Sequence, residues 1–292
     1  MTARARYAQL TSLLEVPLLK EAYWAKIPGV RAAGIMLDLE DSAHPDVKVA
    51  GRDWLIQALR DRSIFGGREV IVRVNNLDTP WGRDDLAALA RQPEPLIVCY
   101  PKVRSADEIA EVVRLSREHV PERGVLAMVE TAAAVLDLDV IAKTPGVIGF
   151  HFGYTDYAVD SGARLYAPEG DDLHPALWGV RHHIAMVAAA RGLFATGGTM
   201  IPQFRDVAKV RRFVASWADA GYTGMLALSP AHLDVVADVF IPHGEERARH
   251  EVIIAGFEDA QAAGRTSLVL DGAIVTESTY LQSVAAMRRI LD

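Results

Sequence analysis

Eight short apolar runs recur along the chain and alternate with stretches of helical periodicity. Short apolar runs can be helical, but their length, their β-branched residues and the Gly or Pro at their borders favour strands. Apolar strands that alternate with helices are typical of a parallel sheet covered on both faces. The runs span residues 12–19, 34–39, 69–75, 96–103, 124–130, 147–153, 193–198 and 224–230.

Eight strand–helix units predict an α/β fold of the (β/α)8 TIM barrel type, and the 292 residues suit such a barrel. A doubly wound open sheet is the alternative. After the eighth run come a charged helical stretch, a hairpin with Asp271-Gly272 as its two-residue turn, and an amphipathic helix. We therefore expect a barrel over residues 1–245 and a hairpin-plus-helix extension over 246–292 that serves as a lid or an oligomer contact.

A barrel also predicts where the chemistry lies, because active sites of this fold collect where strands end and βα loops begin. The second to the sixth runs all end in, or are followed by, polar or charged residues. Strand alternation separates Asp38 from Leu39 and places it against the barrel interior, where it is best explained as structural. The polar residues at these five tips are Asp38, Glu40, Asp41, Arg73, Asn75, Lys102, Glu130 and Asp156.

Glu130 and Asp156 lie one βα unit apart, so in a barrel they project from adjacent strand ends into one mouth. Two converging carboxylates need a compensating charge. Mg²⁺ suits them, with Mn²⁺ as a possible substitute, because it is bound by one or two carboxylates together with waters and substrate oxygens. No His/Cys cluster occurs at zinc spacing. The alternative is a pair of solvated loop carboxylates.

Arg73 offers a planar fork for a substrate carboxylate or carbonyl on the same rim. With the cation, this suits metal-assisted enolate chemistry, in which Arg73 stabilises the developing oxyanion. Arg73 could instead be the ion-pair partner of the acidic cluster after the second run, and both roles can hold together. Lys102 serves electrostatics or packing, or forms a Schiff base as in class I aldolases.

Composition limits the partners. The formal net charge of −7 gives no electrostatic reason to expect nucleic acid or an anionic membrane. The single cysteine, Cys99, excludes an internal disulfide, fits a reducing compartment and alternates with apolar neighbours like a core residue. The N-terminus lacks a signal-peptide pattern, and no apolar run approaches 18 residues. We expect a cytoplasmic protein.

Six motifs resemble the citrate lyase β-subunit-like group of the HpcH/HpaI aldolase superfamily. They occur in the family's order and cover roughly residues 10 to 280. The matching pieces are "LDLEDSAHPDVKVAGR", "VRVNNLDTPWGRDDL", "PKVRSADEI", "VETAAAVLDLDVIA", "GYTDYAVDSG" and "GYTGMLALSPAH".

The resemblance implies a (β/α)8 barrel in homotrimers or homohexamers, with Mg²⁺ as cofactor. The implied activity is cleavage or formation of a C–C bond, often on a 3-hydroxyacyl-CoA such as citramalyl-, malyl- or citryl-CoA. Carried over by motif, Glu130 and Asp156 would ligate the metal, and Arg73 would hold the oxyanion. Glu40 and Asp41 would sit beside the metal waters. Arg73, Asn75 and Lys102 are assigned to substrate binding.

The chain departs from the family pattern around the first strand, in the eighth strand and in the C-terminal hairpin. Thr276 stands where family members that act on CoA thioesters carry a lid Asp. These departures predict an intact barrel and metal site but leave the use of CoA open. The departing residues are Thr11, Leu18, Met225, Ser229 and Thr276.

Four functions are therefore compatible with the sequence. The leading one is a Mg²⁺-dependent lyase or aldolase acting on a small 2-oxo or 3-hydroxy acid or its CoA ester. The alternatives are thioester hydrolysis or acyl transfer on the same site, a class II 4-hydroxy-2-oxo acid aldolase without CoA, and a catalytically degenerate binding subunit.

Overall fold

The computed structural model describes residues 1–290. Eight parallel strands pair in chain order, and the eighth closes onto the first, so the predicted TIM barrel is confirmed and the open sheet is excluded. Each strand lies within its predicted run. The strands are β1 Ser12–Pro17, β2 Gly34–Asp38, β3 Glu69–Arg73, β4 Ile97–Tyr100, β5 Gly124–Val129, β6 Val147–Phe152, β7 Phe194–Gly198 and β8 Gly224–Ala227.

Helices follow the strands and cover the outside of the barrel, while α1 precedes β1. Short 3₁₀ turns begin at residues 27, 45, 62, 175 and 230. The helices are α1 Ala3–Arg6, α2 Glu21–Trp24, α3 Lys48–Arg60, α4 Gly82–Ala90, α5 Ala106–Ser116, α6 Ala132–Leu136, α7 Leu138–Lys143, α8 Tyr154–Ser161, α9 Trp178–Arg191, α10 Val207–Asp219, α11 Leu233–Phe240, α12 Gly244–Ala262 and α13 Glu277–Met287.

Strand alternation divides each strand into an outer and an inner face. Outward side chains pack under the helices in the main core, and inward side chains near the amino ends of the strands form a second, smaller core inside the barrel. Cys99 belongs to this inner core, as predicted, and is fully buried. Toward the carboxyl ends the inward positions become polar: Glu15 follows Leu13, and Arg73 follows Ile71.

The predicted hairpin and final helix are also present. Antiparallel β9 (Ser267–Leu270) and β10 (Ala273–Thr276) meet at Asp271-Gly272, whose φ values of 49° and 77° suit a two-residue hairpin turn. The hairpin and α13 pack on α12 around a small core. The predicted boundary between barrel and extension falls in the first turn of α12.

Among residues 1–290, no helix combines the length and the hydropathy needed to cross a membrane.

Candidate active site at the carboxyl end of the barrel

A cavity of about 310 Å³ opens at the carboxyl ends of the strands. Its lining comes from four of the five predicted tips, those after β2, β3, β5 and β6, and from the loops after β6, β7 and β8, whereas Lys102 at the tip of β4 lies outside it. The polar lining residues are Glu15, Asp41, Ser42, Arg73, Glu130, His151, Thr155 and Asp156, and the apolar and aromatic ones are Met128, Phe152, Tyr154, Met200, Leu226 and Leu228.

The loop after β2 folds around the side chain of Asp38. Its Oδ1 accepts the backbone N–H of Glu40 at 2.8 Å, and its Oδ2 accepts that of Ser42 at 2.8 Å. The Ser42 hydroxyl returns a hydrogen bond to the Asp38 carbonyl. Asp38 therefore shapes the loop, which agrees with its predicted structural role.

Arg73 is the centre of a buried ion-pair network. Its Nε and Nη2 each lie 2.7 Å from one Asp38 oxygen, the bidentate geometry that a guanidinium favours. Nη2 also lies 3.2 Å from Glu15 Oε1, and Nη1 lies 3.2 Å from Glu40 Oε2. The ion-pair role of Arg73 is thus present in the structure. Since Arg73 also lines the cavity, the same side chain remains available to a substrate.

The network shifts the pKa values of its members in opposite directions. Burial opposes ionisation of Asp38, but the Arg73 guanidinium and the backbone hydrogen bonds hold the pKa of Asp38 below its usual value. Burial would lower the pKa of Arg73, but the carboxylates raise it well above the usual value. For Glu40, burial prevails over both cations and raises the pKa. The charged forms of both Asp38 and Arg73 are therefore stabilised by their pairing.

Lys102 joins the second and the fifth strand tips. Its Nζ lies 2.6 Å from Glu40 Oε1, and its backbone N–H donates to Glu130 Oε1 at 2.6 Å. The backbone of Lys102 is left-handed, with φ of 51°, which is uncommon for a residue with a side chain. The strained conformation directs the N–H at Glu130, and the side chain neutralises Glu40 beside the cavity wall.

Glu130 and Asp156 meet across the start of α8. Glu130 follows β5 and is nearly completely buried, whereas Asp156 lies in the first turn of α8. Between them, Gly153 leaves the space that Glu130 occupies, because a Cβ at Gly153 would lie 2.1 Å from Glu130 Oε2. Burial, followed by the charges of Glu40 and Asp156, raises the pKa of Glu130 to about 8.

The carboxylate oxygens around the cavity suit a hard cation. Six carboxylates (Glu15, Asp38, Glu40, Asp41, Glu130 and Asp156) surround two cationic side chains, Arg73 and Lys102, so negative charge is in excess. Residues 1–290 contain no group of three or more His, Cys, Asp or Glu side chains arranged to hold a metal ion. Mg²⁺ does not need such a cage, because one or two carboxylates with waters and substrate oxygens complete its shell.

Asn75 lies beneath the loop and outside the cavity lining. Its Oδ1 accepts from Lys48 Nζ at 2.7 Å, and its Nδ2 donates to Asp85 Oδ2 at 2.7 Å and to the Leu39 carbonyl at 3.1 Å. Lys48 Nζ also donates to the Glu40 carbonyl at 2.6 Å. In this structure Asn75 supports the loop that carries the acids, rather than lining the cavity as a substrate contact would.

Two residues of the cavity were missed by sequence reasoning. Glu15 lies in β1, and His151 lies in β6 with its Nδ1 3.0 Å from the buried Thr196 hydroxyl. Burial, and then the charge of Arg73, lower the pKa of His151 to about 3, so the imidazole is neutral at physiological pH. A signal was present, because both residues interrupt apolar strands at inward positions.

The residues that depart from the family pattern have structural roles. Ser229 accepts the Ala231 N–H and caps a 3₁₀ turn. Nearby, the buried His232 at the end of that turn hydrogen-bonds the Thr199 hydroxyl at 2.8 Å and the Phe204 carbonyl at 2.7 Å. Met225 and Thr11 are buried, and Thr276 caps α13.

Comparison with known proteins places the chain in a family. Residues 12–230 match the family model described as HpcH/HpaI aldolase/citrate lyase. The chain is 35% identical to a (3S)-malyl-CoA thioesterase of Cereibacter sphaeroides, covering 90% of this chain and 88% of that protein. It is 26% identical to L-malyl-CoA/β-methylmalyl-CoA lyase of Rhodobacter capsulatus, over 92% and 91%.

Solved structures agree with the fold. CitE from Mycobacterium tuberculosis, in complex with magnesium, acetoacetate and coenzyme A, superposes with a TM-score of 0.77 at 24% identity, covering 96% of this chain and 97% of that one. At this identity the likeness bears on the barrel alone. The family model spans three quarters of the chain and includes all eight barrel strands up to residue 230. The chain belongs to the HpcH/HpaI aldolase/citrate lyase family.

Proposed function

We propose that this protein is a Mg²⁺-dependent carbon–carbon lyase acting on a small 3-hydroxy acid, presented as its CoA thioester. The observation that carries the proposal is the pair of carboxylates, Glu130 and Asp156, in a cavity that the buried Arg73 guanidinium also lines. That arrangement offers a hard-cation site beside a cationic fork, which is what stabilisation of an enolate requires.

The proposed roles follow from these positions. Glu130 and Asp156 would hold the metal, with Mn²⁺ as a possible substitute. The chemistry that a bound Mg²⁺ supplies is polarisation of the 2-oxo acid carbonyl and neutralisation of its carboxylate. Arg73 would stabilise the oxyanion of the acyl fragment, because its guanidinium is buried and lines the cavity. Asp41 would orient waters at the rim, and Glu40 with Lys102 would hold the adjacent wall.

The size of the cavity and the relatives support this class of substrate. A volume of about 310 Å³ lies at the small end of ligand sites, so it suits the acyl part of a substrate rather than a whole CoA ester. Relatives acting on malyl-CoA include a lyase and a thioesterase. The CoA moiety would then lie outside the cavity, over the rim.

Thioester hydrolysis is the second candidate. It is favoured by the relative of 35% identity, which is a (3S)-malyl-CoA thioesterase. Cleavage of the C–C bond and hydrolysis of the thioester can use the same metal and the same guanidinium, so only the products distinguish the two reactions. Cleavage yields an acyl-CoA and a 2-oxo acid, whereas hydrolysis yields free CoA and the intact hydroxy acid.

The test is product analysis with Mg²⁺ or Mn²⁺. Malyl-CoA, citramalyl-CoA and free 4-hydroxy-2-oxo acids are supplied, and the products are separated by chromatography. A 2-oxo acid released with an acyl-CoA supports the lyase, and free CoA with the intact acid selects the thioesterase. Absence of turnover of every substrate in both directions would contradict the proposal.

The metal assignment has its own test. Glu130→Gln and Asp156→Asn should each weaken Mg²⁺ binding about tenfold or more in calorimetry, because each removes one anionic ligand. Asp53→Asn is the control, since Asp53 is exposed on α3, away from the cavity. Unchanged Mg²⁺ affinity in Glu130→Gln would remove Glu130 from the metal site.

A further inference from the structure

We propose that Glu15 is the residue that removes and returns the proton on the carbon next to the thioester carbonyl. The inference rests on the lyase function proposed above and names the acid–base group of that site. The strand-tip pattern does not include Glu15, because this residue lies inside the first strand instead of after it.

Position is the first argument. Glu15 projects from β1 into the barrel and lines the cavity together with Arg73 and Glu130. Its Oε1 lies 3.2 Å from Arg73 Nη2. Within the described chain, no hydrogen bond engages Oε2, and the side chain is 17% exposed, so one oxygen is reachable from the cavity. A group bound by Arg73 through an oxyanion would place the neighbouring carbon beside this oxygen.

The other acids of the site are committed elsewhere. Asp38 receives two backbone N–H groups and the Arg73 fork, so its lone pairs are occupied. Glu40 is held between two cations. Glu130 and Asp156 are the proposed metal ligands. Asp41 lines the cavity too, but its side chain is 57% exposed, and its two oxygens lie 3.8 Å from Arg73 Nη1 and 3.7 Å from Lys102 Nζ.

Glu15 is also able to change its protonation state near neutral pH. Burial raises the pKa of Glu15 to about 7, against the attraction of Arg73, and the neighbouring carboxylates act in the same direction as burial. A general base works best when its pKa lies near the operating pH. The charged and titratable groups that face it are Arg73 on β3, Asp38 on β2, Glu40 and Asp41 in the following loop, Glu130 after β5 and His151 on β6.

The proposed step balances as follows. In condensation, the Glu15 carboxylate takes a proton from the carbon next to the thioester carbonyl, and the C–H electron pair becomes the C=C bond of an enolate whose oxygen carries the charge. The enolate carbon then bonds to the carbonyl carbon of a 2-oxo acid, whose oxygen takes a proton from water. In cleavage, water takes the proton of the hydroxyl, the carbonyl of the 2-oxo acid forms as the C–C bond breaks, and the electron pair of that bond enters the enolate. Protonated Glu15 then returns its proton to the enolate carbon.

Proton exchange isolates this step from the rest of the reaction. Acetyl-CoA is incubated with the protein and Mg²⁺ in D₂O, and loss of the methyl proton signal is followed by NMR. We expect the wild-type protein to catalyse exchange, and Glu15→Gln to lower both exchange and kcat about 100-fold or more, as loss of a general base does. The KM should stay close to that of the wild type, since the amide retains the contact with Arg73, and the melting temperature should not fall.

The pH profile and a control complete the test. Wild-type exchange should rise with pH through about 7, and Glu15→Gln should lack this rise. Glu69→Gln is the control, because Glu69 is an exposed carboxylate at the opposite end of β3. Should Glu15→Gln fail to fold, Glu15→Asp replaces it, and about a tenfold loss of exchange with KM retained is expected.

The outcomes separate the two proposals. Wild-type exchange and cleavage that persist unchanged in Glu15→Gln, or in Glu15→Asp where that variant is used, would overturn the role of Glu15 and leave the lyase proposal standing. Absence of exchange and of cleavage in the wild-type protein, with every thioester tested, would overturn both.

Discussion

Asp38 and Glu130 are both buried carboxylates at the mouth of one barrel, yet their pKa values move in opposite directions. Two backbone N–H groups and the fork of Arg73 hold the pKa of Asp38 below its usual value. Glu130 receives the Lys102 N–H and faces two other carboxylates, so burial raises its pKa to about 8. The structure therefore has a neutralised side and a side that lacks positive charge.

Because both carboxylates are buried, burial alone does not explain the difference. The hydrogen-bond donors and cations around each carboxylate decide whether its pKa lies below or above the usual value. A carboxylate whose lone pairs are filled by fixed donors behaves as part of the scaffold. One that is desolvated without enough donors has a high affinity for a proton or a cation. The four experiments below perturb the two sides in turn.

The largest effect is expected on the neutralised side. Asp38→Ala removes the partner of a buried guanidinium and the acceptor of two loop N–H groups, so it should lower the free energy of unfolding by about 3–5 kcal/mol. Asp78→Ala breaks an exposed pair with Arg104 and should cost less than about 1 kcal/mol. Urea unfolding measures both, and equal losses would refute the distinction.

On the side that lacks positive charge, a substitution that displaces Glu130 should weaken Mg²⁺ binding. Gly153→Ala forces a Cβ into the space of the Glu130 carboxylate and should weaken Mg²⁺ binding about 10- to 100-fold in calorimetry. The control is Gly179→Ala in α9, where a Cβ meets no atom within 4 Å and Mg²⁺ affinity should not change. Normal Mg²⁺ affinity in Gly153→Ala would show that the Glu130 position is unimportant.

The pH dependence of stability tests the comparison at a third buried carboxylate, Glu15, whose pKa is raised to about 7. Between its ordinary pKa of about 4.5 and 7, folded protein holds this proton while the unfolded chain has lost it, so the free energy of unfolding falls as pH rises. Glu15→Gln lacks this titration. Its free energy of unfolding, relative to that of the wild type, should therefore rise by about 1–2 kcal/mol as the pH goes from 5 to 8 in metal-free buffer. A difference that is independent of pH would contradict the sign.

The smallest effect concerns Lys102, which links the two sides. Replacement by Gly or Ala removes the contact with Glu40 in both cases, but only Ala must hold a side chain at φ of 51°. Lys102→Gly should therefore unfold with a free energy about 1 kcal/mol higher than Lys102→Ala. Equal stabilities in urea would mean that this residue carries no backbone strain.

Much of the fold could be predicted because hydrophobic pattern, β-branched residues and turn residues all indicated the same elements. Apolar runs with β-branched residues lie in all eight strands, and Asp271-Gly272 forms the turn of the hairpin. The structure ends every strand except β7 earlier than the predicted run: β4 stops at Tyr100, and residues 101–103 belong to the loop. Apolar composition does not mark that end, because loop residues such as Val103 are buried too.

The candidate site could be predicted in part. Connectivity alone places Glu130 and Asp156 in one mouth, since consecutive strands of a parallel barrel end on the same face. Asn75 shares the tip pattern, yet its polar atoms are directed at Lys48, Leu39 and Asp85. Which way a loop side chain turns depends on neighbours distant in sequence, and no local pattern encodes them.

By itself the sequence determined the barrel, its hairpin extension and the end of the barrel where the acids gather. Local periodicity suffices for these, because alternation and strand order fix which residues share a face and an edge. Only the tertiary structure decided that Arg73 neutralises Asp38, that Gly153 makes room for Glu130, and that Glu15 reaches the cavity with a free oxygen. The physical reason is that the charge state of a buried carboxylate depends on donors and charges brought by other strands, over distances of a few ångströms.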